Sequence, residues 1–278
     1  MRSADYIPLC TVAGSDPSGG AGLQGDLKTF AAHGVCGTAV VTALTVQGAR
    51  GVSRVQAVPA GLVAEQLALV LEERRPAALK TGMLWDGATI HAVAGALEAC
   101  RAGLPLVVDP VLAASAGGDL LVPDALPALR DRLCPMAAVI TPNLDEAARL
   151  LGTARVGDGD AAEAARVLRV RLGCQAVLVK GGHGLGSEAV DWLCDARGPR
   201  PFALPRIAGA DPHGTGCALS AALAARLGLG LALDEAVRGA KAYVHRALVA
   251  AAGGHLRHGV PAFPGPSTPA SAPGATPA

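Results

Sequence analysis

The chain has 278 residues, of which 51% are hydrophobic and 17% charged, and its formal net charge is +1. That composition describes a well-buried globular protein and excludes a disordered one. Near-neutral charge and 3% aromatic content offer neither the field nor the stacking surface that nucleic acid or an anionic membrane requires.

Along the chain, short apolar runs alternate with longer alanine- and leucine-rich segments. Ile7–Ala13 is expected as a strand, Gly22–Ala32 as a helix, Thr38–Val46 as a strand and Ala60–Glu73 as a helix. Strands Ala78–Thr81 and Leu106–Asp109 flank the helix Ala88–Arg101, and the helix Pro123–Leu133 leads to the strand Ala138–Thr141. Helices Leu144–Leu151 and Asp160–Leu172 precede strands Ala176–Lys180 and Ala189–Cys194, and helices Gly216–Leu227 and Asp234–Ala252 follow. This alternation implies βαβ units, hence an α/β fold with a mostly parallel sheet covered by helices on both faces. Residues 1–260 read as one domain, without repeat or linker, and Pro261–Ala278 as a disordered tail rich in Pro, Ala, Ser and Gly. The longest apolar stretch, Cys217–Leu233, carries Arg226 and several glycines and is too short for a membrane span. Seven cysteines are scattered without a CxxC pair, and Met1–Ile7 has no secretory character. The expectation is a soluble protein of the reducing cytoplasm.

In open α/β sheets ligands bind beyond the carboxyl ends of the strands. Polar and glycine residues of this chain collect there: Gly14–Gly22, Gln47-Gly48, Thr81-Gly82-Met83, Asp109-Pro110, Thr141-Pro142-Asn143 and Lys180–His183. The segment His213-Gly214-Thr215-Gly216-Cys217 precedes an apolar helix, so its free N–H groups and the helix dipole form an anion cradle. The same field would lower the pKa of the Cys217 thiol and let it take a proton from an alcohol; the alternative is a glycine turn followed by a buried cysteine. Two familiar nucleotide motifs fail. Leu27 replaces the second glycine of a P-loop, and Leu219 the third glycine of a dinucleotide fingerprint.

Asp109, ending the apolar strand Leu106-Val107-Val108, and Glu146, opening a helix, form an acidic pair able to hold Mg²⁺ with phosphate oxygens; Glu146 could equally serve its helix N-terminus. Lys180 ends a strand where it would reach a phosphate or extend along the surface. Asp26, four residues after Gly22, faces either a ligand above the glycine loop or solvent. Gln47 suits the edge of a nitrogen heterocycle and Met83 an apolar wall, unless Met83 serves the core. His213 and Cys217 lack the further ligands of a zinc site.

The run Ala13–Thr29, with Lys80-Thr81-Gly82-Met83, Val108–Val111, Ile140–Leu144, Val179–His183 and His213–Cys217 in order, resembles the hydroxymethylpyrimidine/phosphomethylpyrimidine kinases of thiamine biosynthesis over roughly residues 6–252. The resemblance implies a ribokinase-like three-layer sandwich, usually a homodimer, that uses ATP and Mg²⁺. It assigns the pyrimidine to Ala21, Asp26, Thr45, Gln47, Met83 and Val111, and the metal to Asp109 and Glu146. Catalysis falls on Cys217, Gly214, Gly216 and Lys180, and nucleotide binding on Lys180, Thr215 and Asn143. Cysteine at the position of Cys217 also occurs in similar pyridoxal kinases, which keeps that activity, or a non-catalytic pyrimidine-binding protein, as an alternative. Departures from the pattern at Gly25, Gly48-Ala49 and Asp211-Pro212 bear on substrate selectivity more than on transfer.

Overall fold

The computed structural model describes residues 6–48, 51–100, 103–114, 117–181, 186–209, 213–251, 254 and 256–260. The tail Pro261–Ala278, Ala49, His183 and the pair Asp211-Pro212 lie outside the described residues. The chain runs β1 (Pro8–Ser15), α1 (Gly22–Ala32), β2 (Cys36–Gly48), β3 (Gly51–Ala57), α2 (Ala60–Glu73), β4 (Leu79–Thr81), α3 (Gly87–Cys100) and β5 (Leu106–Val108). A short α4 (Leu126–Ala128) follows, then β6 (Val139–Ile140), α5 (Leu144–Leu151), α6 (Ala161–Leu172), β7 (Val177–Val179), β8 (Glu188–Asp195), β9 (Gly198–Pro205), α7 (Thr215–Gly228) and α8 (Leu233–Ala251).

Among the described residues nine strands form one sheet in the order β3-β2-β1-β4-β5-β6-β7-β8-β9. Its interior is parallel from β2 to β7, and antiparallel pairings occur only toward the edges, in β2–β3, β7–β8 and β8–β9. Successive strand residues face opposite sides. Leu106 and Val108 therefore join Val63, Leu67, Ile90 and Leu168 in one apolar layer. Val107 joins Phe30, Leu223, Val237 and Tyr243 in the other. Both faces of the sheet are covered, which is why its central strands read as unbroken apolar runs.

Three local features depart from the sequence reading. Strands β3 and β9 were not anticipated. β3 is a polar edge strand, and β9 carries Pro199, Pro201 and Pro205. These prolines fall at alternate positions, so their missing N–H groups lie along the outer edge, where no strand pairs. The expected helix Pro123–Leu133 is broken: α4 lies between a 3₁₀ turn (Pro123–Ala125) and a π turn (Leu129–Leu133). Pro127 within it has no N–H to continue the helical ladder.

α1, α7 and α8 meet around His33, whose ring lies edge-on to Tyr243 at 4.8 Å and whose Nδ1–H donates to the Thr29 carbonyl at 2.8 Å. Burial pushes the imidazole down to about 4, and the nearby Arg226 and Arg246 act in the same direction against that hydrogen bond. An unfolded histidine takes its proton near pH 6.5, so the unfolded state binds more protons between that pH and about 4. Stability rises with pH across this window and is lost as pH falls through it. His33 alone accounts for about 3 kcal/mol of the loss. Urea denaturation of His33→Gln at pH 6.5, 5.5 and 4.5 should give a distinctly shallower decline than the unaltered protein. Parallel declines would disprove the assignment.

Candidate active site

The chain changes direction in the sheet at β1, whose neighbours are β2 on one side and β4 on the other. Crevices form at the carboxyl ends of strands at such a point. Here a cavity of about 510 Å³ opens beyond β1 and β4 and runs across the strand ends to β8, β9 and α8.

At its centre two glycine turns touch. Gly214 precedes α7 with φ 79°, a left-handed conformation suited to glycine, and a Cβ there would sit 1.9 Å from the Gly20 carbonyl oxygen. Gly22, with φ 55°, would bring a Cβ within 2.4 Å of the Gly14 carbonyl oxygen. The close approach turns the first N–H groups of α7 toward the cavity, where they and the helix dipole favour an anion. Asp16 fixes the first turn by accepting from the Ser18 and Ala21 amides, both at 2.9 Å, and from the Ser18 hydroxyl at 2.8 Å. His213 Nε2–H donates to the same carboxylate at 3.0 Å and joins the two turns. Burial opposes ionisation of Asp16, but the hydrogen bonds from His213, Gln47 and Ser18 outweigh it and hold the carboxyl well below its ordinary range. His258, from the segment after α8, donates from Nε2 to the Gly20 carbonyl at 2.9 Å, while its own carbonyl accepts from the Tyr243 hydroxyl.

Beside this cradle stands an ionic cluster. Asp109 follows β5 and accepts from Lys180 Nζ at 2.9 Å, from Ser220 of α7 at 2.9 Å and from Thr141 at 3.2 Å. Glu146 lies in the first turn of α5, where it and Asn143 cap each other's amides at 2.8 Å, and its carboxylate is 3.8 Å from Lys180 Nζ. It therefore serves the helix terminus and faces the cavity at once. Burial works against all three charges. Lys180 outweighs it at Asp109, whose carboxyl stays below the ordinary range. Glu146, with a weaker cation contact and Asp109 nearby, is pushed up by its burial. Burial would lower Lys180, but the two carboxylates more than reverse this and keep it an ammonium.

Among the described residues no group of three or more histidine, cysteine, aspartate or glutamate side chains converges as a metal cage. The donors here are hard carboxylate oxygens open to the cavity. That set fits Mg²⁺, which is typically held by one or two carboxylates with water and substrate phosphates completing the shell.

All but one of the expected site residues line this cavity: Ala21, Thr45, Gln47, Met83 and Val111 toward one end, and Asp109, Asn143, Glu146, Lys180 and Gly214–Cys217 around the middle. Val111 has φ 41°, rare for a β-branched residue, and such strain clusters at functional sites. Asp26 is the exception. It faces neither ligand nor solvent, but is fully buried with Lys80 on both of its oxygens at 2.7 and 2.8 Å and the Thr11 hydroxyl at 2.6 Å.

The expected acidity of Cys217 is corrected as well. The thiol is half-buried on the first turn of α7 and accepts from the Gly22 amide. Burial, with Asp26 and Asp109 acting the same way, pushes it up to about 11 against the pull of Lys80 and the Gly22 hydrogen bond. Sequence reasoning gave no role to Asp16 or Lys80; the Asp-Pro-Ser-Gly turn was the available signal for Asp16, whose side chain caps the amide two residues on.

A phosphomethylpyrimidine kinase family model matches residues 16–261. The hydroxymethylpyrimidine/phosphomethylpyrimidine kinase of Rhizobium meliloti (strain 1021) is 49% identical over 245 residues, covering 87% of this chain and 90% of the relative. The corresponding protein of Escherichia coli (strain K12) is 42% identical over 255 residues, covering 91% and 95%. Among solved structures, phosphomethylpyrimidine kinase from Clostridium difficile 630 aligns with TM-score 0.76 at 37% identity, covering 87% of this chain and 99% of that one. The ADP complex of Bacillus subtilis pyridoxal kinase aligns with TM-score 0.79 at 34% identity, covering 87% and 91%.

Gly214→Ala should separate the cradle from the fold. The added methyl forces the two glycine turns apart, and displacements of this size at a reacting centre cost on the order of 10²-fold in rate. Turnover should fall by about that factor while the protein stays folded by circular dichroism. Full turnover would show that the contact is dispensable.

Proposed function

From the membership of this chain in the phosphomethylpyrimidine kinase family, we propose that it phosphorylates 4-amino-5-hydroxymethyl-2-methylpyrimidine with ATP and then phosphorylates the monophosphate, in thiamine biosynthesis. One kinase domain, residues 1–260, carries both transfers. The supporting observation is that a single cavity presents Cys217, the α7 N-terminus and Lys180 between a polar–apolar pocket at Gln47 and Met83 and a longer arm toward α8.

In the first transfer the substrate hydroxyl gives its proton to the Cys217 thiolate. Its oxygen bonds to the γ-phosphorus, the bond from that phosphorus to the bridging oxygen breaks, and the electron pair leaves on ADP. The amides of Gly214, Thr215 and Gly216 receive the transferred group, and Lys180 and Asn143 lie beside the phosphates. Asp109 and Glu146 would hold Mg²⁺, which when bound offsets phosphate charge. Gln47, Thr45, Met83, Ala21 and Val111 bind the ring. Asp26 supports that pocket from behind through Lys80. In the second transfer the acceptor is already an ionised phosphate oxygen and needs no base.

The outer face of β2 leaves Leu44 and Val46, two residues apart on the same side, 55% and 57% exposed. This apolar strip supports a homodimer, which sedimentation would test. The seven cysteines are free, and no helix among the described residues is long and apolar enough to cross a membrane. Both observations support a cytoplasmic enzyme.

The two transfers should respond differently to loss of the thiol. Cys217→Ser should slow phosphorylation of the alcohol by about 10²–10⁴-fold and that of the monophosphate much less. Because the thiol lies near 11, the first rate should climb about tenfold per unit between pH 7 and 9 in the intact enzyme, and the second should not. Gln47→Ala should raise KM for the alcohol by roughly five- to tenfold, about 1 kcal/mol, and leave KM for ATP alone. A coupled ATP-consumption assay with pyridoxal as a third acceptor decides between related activities. Turnover of pyridoxal alone would establish a pyridoxal kinase, and turnover of none a binding protein.

A further inference from the structure

Lys80 is a buried charge that the transfer steps above do not use. It lies in the middle of β4 on the face turned toward α1, entirely enclosed, with its ammonium on both oxygens of Asp26. It nevertheless borders the cavity, and a Cβ added to Gly82 at the cavity wall would stand 3.1 Å from Nζ. α1 relates this pair to the reacting centre. The Gly22 amide donates to the Cys217 sulfur, and Gly22 and Asp26, four residues apart, share one side of α1 a single turn from each other. The sulfur, the carboxylate and the ammonium are thus grouped along that side, in an interior where charges act with little screening.

Two further charges face the sulfur, Asp109 beyond β5 and Lys180 beyond β7, and these offset each other at 2.9 Å. Lys80 rests on Asp26, and its charge acts on Cys217 and on Asp109 as well. A thiolate formed on this half-buried sulfur is stabilised by a cation held close to it.

Resting on the reading of Cys217 as the base, we propose that Lys80 is a positioning residue that supplies the counter-charge of the Cys217 sulfur during transfer to the alcohol, and that Asp26 sets how much of that charge the sulfur receives. The substrate proton goes to sulfur, and Lys80 keeps its own protons throughout. A pair that merely fastens α1 to β4 would behave differently, since either half could then be lost with the same consequence.

Alkylation of Cys217 by iodoacetamide between pH 7 and 10, followed by peptide mass spectrometry, tests this directly. The exposed Cys36 provides an internal reference in the same sample. Lys80→Met should slow modification of Cys217 on the order of tenfold, one unit of thiol acidity, and Asp26→Asn should accelerate it. The double variant Lys80→Met/Asp26→Leu leaves neither charge of the pair without its partner and covers the case in which Lys80→Met fails to fold. It too should be alkylated more slowly than the unaltered protein. The alkaline limb of alcohol phosphorylation should move up by about one pH unit in Lys80→Met and by less in the double variant, while the profile with the monophosphate stays in place.

Shifts of both single variants in the same direction, or unaltered alkylation in the double variant, would overturn the inference and leave Cys217 as base untouched. Full transfer to the alcohol by Cys217→Ser would instead overturn the base, and the role of Lys80 in it, even with alkylation shifted.

Discussion

Asp26, Lys80, Asp109 and Glu146 are buried beneath the amino end of α7, and Lys180 stands beside them with 12% of its side chain exposed. An ion in such a place persists only if a partner of opposite charge is held against it, and removing one partner typically costs several kcal/mol. The partners come from different parts of the chain. Lys80 joins β4 to α1, and Lys180 joins the end of β7 to the end of β5 and to α5. Satisfying these charges therefore aligns strand ends that share few backbone hydrogen bonds, since β6 has only two residues and β4, β5 and β7 three each. Chemistry and architecture draw on the same contacts.

The glycine turns complete that arrangement from above. Side chains at Gly214 or Gly22 would occupy space already taken by carbonyl oxygens, so the cradle depends on the absence of atoms as much as on their presence. Asp16 and His213 then hold the turns in register. The result is a rigid set of donors assembled before any anion arrives, the condition under which electrostatic stabilisation is most effective.

Much of this was legible in the residues. α1, α2 and α5 begin and end where their periodicity and flanking residues indicate, α5 most clearly, between the Asn143 cap and the left-handed Gly152. The strand-end motifs converge because parallel βαβ winding brings every strand's carboxyl end to one edge. What escaped the sequence depends on distant neighbours. The four-residue spacing of Gly22 and Asp26 indicates a shared helix face, but not that Lys80, 54 residues away, occupies the space opposite. The field at the start of α7 and a buried cysteine could both be read there, but not that burial prevails at Cys217. β9 was hidden by prolines that only an edge strand accepts.

His258 fastens the loop before α1 through Gly20, and Tyr243 in turn anchors His258. The glycine turn after β1 is synthesised well before α8, yet one of its hydrogen bonds comes from a residue 238 positions later in the chain. A nascent chain can therefore pair β1 with β2 and β4 and bury much of the sheet while the ligand loop still lacks its last restraint. Full geometry arrives only after α8 has docked and brought His258 onto Gly20, so synthesis itself withholds a competent site until the surrounding fold is in place.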